Sequence, residues 1–189
     1  MTAFLPQSHH DYSYPEYLAL ERDSEIKHEF DGGEILAMAG GTARHSALAV
    51  NIAFALRGTR PDGCTMFQSD MRVRIVATGR ATYPDASMVC GPIEYDPEDA
   101  AHTTIVNPVL LVEVLSVTTE KGDRGNKWMH YQRIPSLVEY VLVSQDPRIE
   151  VFRRMPSRSW EYFEAREGVV KLATGPTLDI SMLYDDLPL

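Results

Sequence analysis

Val109-Leu110-Leu111-Val112-Glu113-Val114-Leu115 is the stretch whose reading decides the fold: seven residues, six of them aliphatic. Asn107-Pro108 precedes it and Ser116-Val117-Thr118-Thr119 follows it. A short, unbroken apolar run between turn-forming residues reads as a strand buried on both faces. Glu113 is the exception within it. A carboxylate in such a setting is costly unless a cation or hydrogen bonds hold it.

Working outward, Pro84-Asp85 opens a second apolar strand, Ala86-Ser87-Met88-Val89-Cys90. Downstream, a helix is expected over roughly Asp123 to Ile134, ending before Pro135. Asp123, Lys127 and Tyr131 lie four apart and so share one face of that helix. If it packs beside the buried strand, Lys127 reaches back towards Glu113. Residues 137–143 read as a further strand, and 148–153 with 160–165 as a closing meander.

Towards the N-terminus, Ser13 and Glu16 have the spacing of a capping box for a helix over Pro15 to Arg22. Lys27 to Phe30 and Glu34 to Met38 flank Asp31-Gly32-Gly33, a strong hairpin signal. Thr42 caps a second helix through about Arg57, with Leu48, Ile52, Ala55 and Leu56 at helical spacing. Arg60-Pro61-Asp62-Gly63 is a turn. Met71, Val73 and Ile75 then alternate with Arg72, Arg74 and Val76, giving a half-buried strand whose arginines face solvent or meet phosphates. Residues 91–107, rich in Pro, Asp and Glu, read as an exposed loop. No repeat, linker or low-complexity segment interrupts this pattern. The expectation is a flexible leader over 1–13 and one mixed α/β domain over 14–189.

Composition narrows the class. A chain of 189 residues can bury one sizeable core. Its 44% hydrophobic and 24% charged residues argue against wholesale disorder. No apolar run approaches the roughly 20 residues of a membrane helix, and Met1 to Asp11 lacks the basic-then-apolar pattern of a signal peptide. Cys64 and Cys90 show no metal-ligand spacing. Cys90 reads as a small buried hydrophobe, which fits a reduced, cytoplasmic setting. A net charge of −9 argues against a protein that coats nucleic acid nonspecifically, because such binding relies on Lys and Arg at phosphates. It leaves a nuclease open, since metal-binding carboxylates add negative charge at the site itself.

An Asp, a Glu and a Lys near three element ends are the ingredients of metal-assisted phosphodiester cleavage. Hard oxygen ligands hold Mg²⁺ or Mn²⁺. The ion lowers the pKa of an attacking water, and a cationic side chain steadies the developing charge. Asp85 and Glu113 supply ligands if their strands are neighbours; Glu34, just after the Gly-Gly turn, is a further carboxylate. Oxygen-only ligation favours Mg²⁺ or Mn²⁺ over Zn²⁺. Each residue alone has a structural reading. Asp85 fits a turn, Glu113 a buried ion pair, Glu34 and Lys127 a solvated surface, and His45 a helix cap or surface position. The ordered set is more specific than any member. There is no Gly-rich phosphate loop and no nucleophile elbow, and the six His, including His9-His10, lack metalloprotease spacing.

Pro84-Asp85 followed by Glu113-Val114-Leu115 resembles the Pro-Asp…(Asp/Glu)-x-Lys signature of the restriction-endonuclease-like nucleases. More closely, the chain resembles the Uma-two (Uma2) family of endonucleases from about residue 14 to 187. The matching pieces are Glu16-Tyr17-Leu18, His28-Glu29-Phe30-Asp31-Gly32-Gly33-Glu34, Val112-Glu113-Val114-Leu115-Ser116, Asp123-x-x-x-Lys127-x-x-x-Tyr131 and Ile134-Pro135-Ser136-Leu137-Val138-Glu139-Tyr140. The resemblance implies a restriction-endonuclease-like α/β core, a central mixed β-sheet flanked by helices. It implies Mg²⁺- or Mn²⁺-dependent hydrolysis of DNA, with Asp85, Glu113 and Glu34 as metal ligands. Leu115 stands where the wider signature has its Lys, and the resemblance implies that Lys127 replaces it. A non-catalytic nucleic-acid- or protein-binding module on the same fold is the alternative, and a hydrolase of small phosphoesters a weaker one. A homodimer is expected, with Phe152, Trp160, Tyr162 and Phe163 as anchors unless core packing claims them.

Overall fold

The computed structural model describes residues 11–38, 40–116, 120 and 122–188. Expectations about most of the 1–13 leader, His9-His10 and Lys121 therefore fall outside the described residues.

Ser13 caps α1 (Tyr14–Asp23), and the reciprocal Ser13–Glu16 bonds form the capping box. A hairpin follows, β1 (His28–Asp31) and β2 (Glu34–Ala37), turning at Gly32 and Gly33. Both glycines have positive φ, +58° and +93°, which a two-residue hairpin turn of this kind requires. Thr42 caps α2 (Ala43–Thr59), as its position before the apolar stripe predicts. Then come β3 (Cys64–Gln68), β4 (Arg72–Ile75), β5 (Arg80–Thr82), β6 (Ala86–Cys90), β7 (Thr104–Ile105) and β8 (Leu110–Val114). A π-helical turn (Gly122–Lys127) leads into α3 (Trp128–Tyr131). The chain ends with β9 (Glu139–Val143), β10 (Ile149–Arg154), β11 (Trp160–Ala165), β12 (Val169–Lys171), β13 (Thr177–Asp179) and α4 (Ile180–Leu183).

Six strands form the central sheet in the order β11-β10-β9-β8-β6-β3. It is mixed: β8 and β9 run parallel, the other pairs antiparallel. Every residue of β8 is buried. Its side chains alternate between two cores, as strand geometry demands. Leu110, Val112 and Val114 pack with Leu48, Ile52 and Leu56 of α2. Leu111 and Leu115 pack with Tyr131, Tyr140, Leu142 and residues of the second sheet, β2-β1-β5-β4-β7. Glu113 shares the parity of Leu111 and Leu115. Its carboxylate therefore points between α3 and the second sheet.

The structure corrects several expectations. Arg72 and Arg74 do not face solvent, because α1 lies over that side of β4 and sets Tyr14 3.6 Å from the Arg74 guanidinium. Arg72 is buried, donating to Thr104 Oγ1 at 2.7 Å, to Tyr83 Oη at 3.1 Å and to Asp99 Oδ2 at 3.3 Å. Arg74 Nη1 lies 2.9 Å from Asp96 Oδ2. Residues 91–107 are consequently not a free loop: Asp96 and Asp99 are buried counter-ions, and 104–105 form β7. Among the meander aromatics, Phe152 and Trp160 pack on Trp128 at 4.4 and 4.8 Å between ring centroids. Phe163 packs on the first core beneath Arg153. Tyr162 alone of the four interface candidates is largely exposed.

Cys64 and Cys90 are not free thiols. They face each other across β3 and β6 and form a disulfide, which removes the compositional argument for a reduced setting. The bond closes a loop of 26 positions. Reduction, or Cys64→Ser with Cys90→Ser, should lower stability by about 2–4 kcal/mol. Denaturant midpoints with and without reductant measure this, and an unchanged midpoint contradicts the pairing. Among the described residues no helix is long and apolar enough to cross a membrane.

Candidate active site

The buried Glu113 carboxylate is the centre of the site. Lys127 donates to its Oε1 at 3.0 Å and Tyr131 donates to the same oxygen at 2.7 Å. Lys127 Nζ also lies 3.1 Å from Asp123 Oδ1 and 3.3 Å from Glu29 Oε1. Asp123, Lys127 and Tyr131 thus converge as their spacing predicts, although the local geometry is not the expected α-helix. Gly122-Asp123-Arg124-Gly125-Asn126-Lys127 is rich in poor helix formers, and contacts rather than propensity set its wider turn. Arg124 clamps it to β10 through Glu150, at 2.7 Å from Nη2 to Oε1. Tyr140 holds it from beneath, donating to the Asp123 carbonyl at 3.1 Å.

With every carboxylate ionised, the charges do not balance. Burial alone would strip the Lys127 proton, yet Glu113, Glu29 and Asp123 outweigh it and keep the ammonium charged well above its ordinary range. For Glu113, burial drives the carboxyl up; Lys127 opposes this, while Asp123 and Asp85 add to it, and the net direction is upward. Burial also works against ionised Glu29, but Lys127, Thr82 and Arg80 prevail and hold it below the usual value. Arg80 is committed elsewhere too, to Asp31 Oδ2 at 2.6 Å.

Asp85 stands one step beyond the β6–β8 register, in which Ala86 opposes Val112. That step sets it beside Glu113. Its Oδ2 accepts the Val114 N–H at 2.7 Å and lies 3.4 Å from His45 Nε2. Asp85 raises the His45 pKa, against the opposing effect of burial. The Glu113 and Lys127 side chains are 5% and 12% exposed, those of Asp85 and His45 18% each, so the Asp85–His45 side is the less buried one. Leu115, buried in the second core, offers no cation.

Asp85, Glu113 and Lys127 are therefore brought into one neighbourhood. Glu34 is not at its centre. It is exposed on β2, opposite Asp31 and one strand further out; the hairpin carboxylate at Lys127 is Glu29. Glu29, Asp123 and Tyr131 escaped the sequence reading as site residues, although all three fall inside the quoted motifs. Which hairpin carboxylate turns inward depends on how the second sheet docks, and no local signal encodes that.

Oxygen donors around surplus negative charge suit a hard divalent cation. Among the described residues no group of three or more His, Cys, Asp or Glu side chains is placed to hold a metal ion. Mg²⁺ does not require three protein ligands, since it keeps several waters and binds through one or two carboxylates together with substrate phosphate. A broad groove lined by Arg22, Lys27, Tyr83 and Asp99 lies between α1 and residues 98–103 and shares none of these site residues.

Residues 14–182 match the Uma2 family, described as "putative restriction endonuclease". The chain belongs to the Uma2 family. Two Synechocystis proteins are similar to it. Uncharacterized protein slr1290 is 33% identical over 91% of this chain and 90% of its own. Uncharacterized protein sll1609 is 34% identical over 77% and 82%. A solved structure from Anabaena variabilis, described as a "putative nuclease belonging to DUF820", superposes with a TM-score of 0.68 at 19% identity, covering 92% of this chain and 97% of that one. The mixed α/β sheet of this Uma2 chain is thus the nuclease-like fold that the motif order implied.

With Lys127 shared among three carboxylates, Glu113→Gln leaves two partners at the ammonium and removes a charge that burial disfavours. The metal-free protein should be as stable as wild type or more so. A loss of roughly 3–5 kcal/mol in thermal melts with chelator would instead mark Glu113 as a structural ion-pair partner.

Proposed function

We propose that this Uma2 chain is an endonuclease that hydrolyses DNA phosphodiester bonds with the help of Mg²⁺ or Mn²⁺. One observation carries the reading: a largely buried lysine 3.0–3.3 Å from three carboxylates, with Asp85 beside them on the less buried side. A purely structural lysine needs one counter-ion, and a carboxylate surplus in a low-dielectric setting is relieved by a further cation or by a proton on Glu113.

Asp85 and Glu113 would hold the ion, with the backbone N–H of Val114 fixing Asp85. Glu29 stands nearest to the supporting role first assigned to Glu34. When bound, the ion lowers the pKa of a water and screens the phosphate charge. Lys127 donates to the attacking water or to the phosphate oxygen on which charge develops. Asp123 and Tyr131 fix the direction of that donation, one through Lys127 and the other through Glu113. Burial of Glu113 and Lys127 limits bulk water, which strengthens each of these interactions. A two-fold homodimer offering one site to each strand completes the proposal.

Supercoiled plasmid incubated with the protein tests it. Nicking should require Mg²⁺ or Mn²⁺ and stop with chelator. Metal-independent retention of the plasmid without nicking would favour the binding-module reading, and cleavage confined to RNA would overturn the substrate.

A further inference from the structure

We propose that His45 is a nitrogen ligand of the cation held at Asp85, so that this site takes a first-row transition ion such as Mn²⁺ in preference to Mg²⁺. The proposal rests on the reading that Asp85 binds a divalent cation, and it adds a donor outside the Asp, Glu and Lys set.

The helix delivers the imidazole. Thr42 Oγ1 accepts the His45 backbone N–H at 3.2 Å, which fixes the start of α2. His45 lies three and seven residues before Leu48 and Ile52, on the stripe that packs against the central sheet. The inward face of α2 therefore carries His45 to the end of β6, where Asp85 stands. Gly41 leaves room for the ring: a Cβ there would stand 2.8 Å from Nδ1.

The distance leaves room for a shared ion. His45 Nε2 and Asp85 Oδ2 are 3.4 Å apart. A charge-assisted hydrogen bond would draw them to about 2.7–2.9 Å. Two neighbouring ligands of one six-coordinate ion, each at about 2.1 Å, stand about 3 Å apart. Closing the present gap to that value needs a shift of a few tenths of an ångström. Among the described residues, His45 is the one basic side chain within ion-pair distance of Asp85. Both side chains are 18% exposed, more than those of Glu113 and Lys127. Carboxylate oxygens alone suit Mg²⁺, whereas an imidazole nitrogen shifts preference towards transition ions.

The full chain with Mn²⁺ as the probe decides this. Pulsed electron paramagnetic resonance of the Mn²⁺ complex should show nitrogen hyperfine coupling, absent in His45→Gln. Calorimetry should show His45→Gln weakening Mn²⁺ binding by about tenfold or more, a loss of roughly 1.4 kcal/mol, and Mg²⁺ binding much less. Asp85-dependent Mn²⁺ binding with no nitrogen coupling and an unchanged affinity in His45→Gln would overturn the role of His45 and spare the Asp85 site. Coupling that survives in His45→Gln would assign the nitrogen to another residue and also overturn it. No Mn²⁺ binding, or binding that survives Asp85→Ala, would overturn the underlying cation site as well.

Discussion

Lys127→Met should destabilise the protein by about 3–5 kcal/mol and lower DNA cleavage by roughly 100-fold or more. The stability loss follows from what remains. Glu113, Glu29 and Asp123 lose the ammonium they share, and breaking a buried pair from one side leaves uncompensated charge. The rate loss is the usual range for removing a charge-stabilising or proton-transfer group. The two effects separate experimentally. Adding Glu113→Gln to Lys127→Met should restore part of the stability, because one stranded carboxylate becomes neutral, and the pair should be strongly non-additive. It should restore no cleavage. A saturating divalent cation should also raise the melting temperature of Lys127→Met, through binding to the folded state alone. Full activity in a folded Lys127→Met protein would remove the lysine from the reaction. Lys121 lies outside the described residues and is the first alternative to test.

Asp85→Ala should reduce cleavage by about a thousandfold while costing about 1–3 kcal/mol of stability. Loss of an ion that supplies several kcal/mol of charge stabilisation converts to that factor at 1.36 kcal/mol per tenfold. The fold effect is confined to one hydrogen bond. Loss of Asp85 removes the acceptor of the buried Val114 N–H, a donor that costs about 1–3 kcal/mol when left unsatisfied. Paired melts and rate measurements check both halves. A collapse of the fold would place Asp85 among the structural residues.

Much of this was legible because the signals were local. Six aliphatics around Glu113 placed β8, a Ser-x-x-Glu box placed α1, and two glycines between short strands placed the hairpin. The i,i+4 spacing of Asp123, Lys127 and Tyr131 survived even though a π-helical turn replaced the first part of the α-helix. What failed depended on tertiary contact. The period-2 alternation of Arg72 and Arg74 looks the same whether solvent or α1 covers that face. Here Tyr14, Tyr17 and the acids of residues 96–99 cover it. Cys64 and Cys90 meet only because β3, a strand not foreseen, pairs with β6 in that register. The small β12–β13 pair also passed unseen. His45 reads as a helix-cap neighbour until α2 docks and sets it 3.4 Å from Asp85.

The proposed metal-dependent nuclease site among the carboxylates around Lys127 is tested by the nicking rate of covalently closed DNA with wild type, Asp85→Ala and Glu113→Gln, each in Mg²⁺, in Mn²⁺ and in chelator. Wild type should cleave with either ion and not in chelator, and both folded variants should lose nearly all cleavage. Equal cleavage by wild type and both variants, or cleavage that persists in chelator, would contradict it.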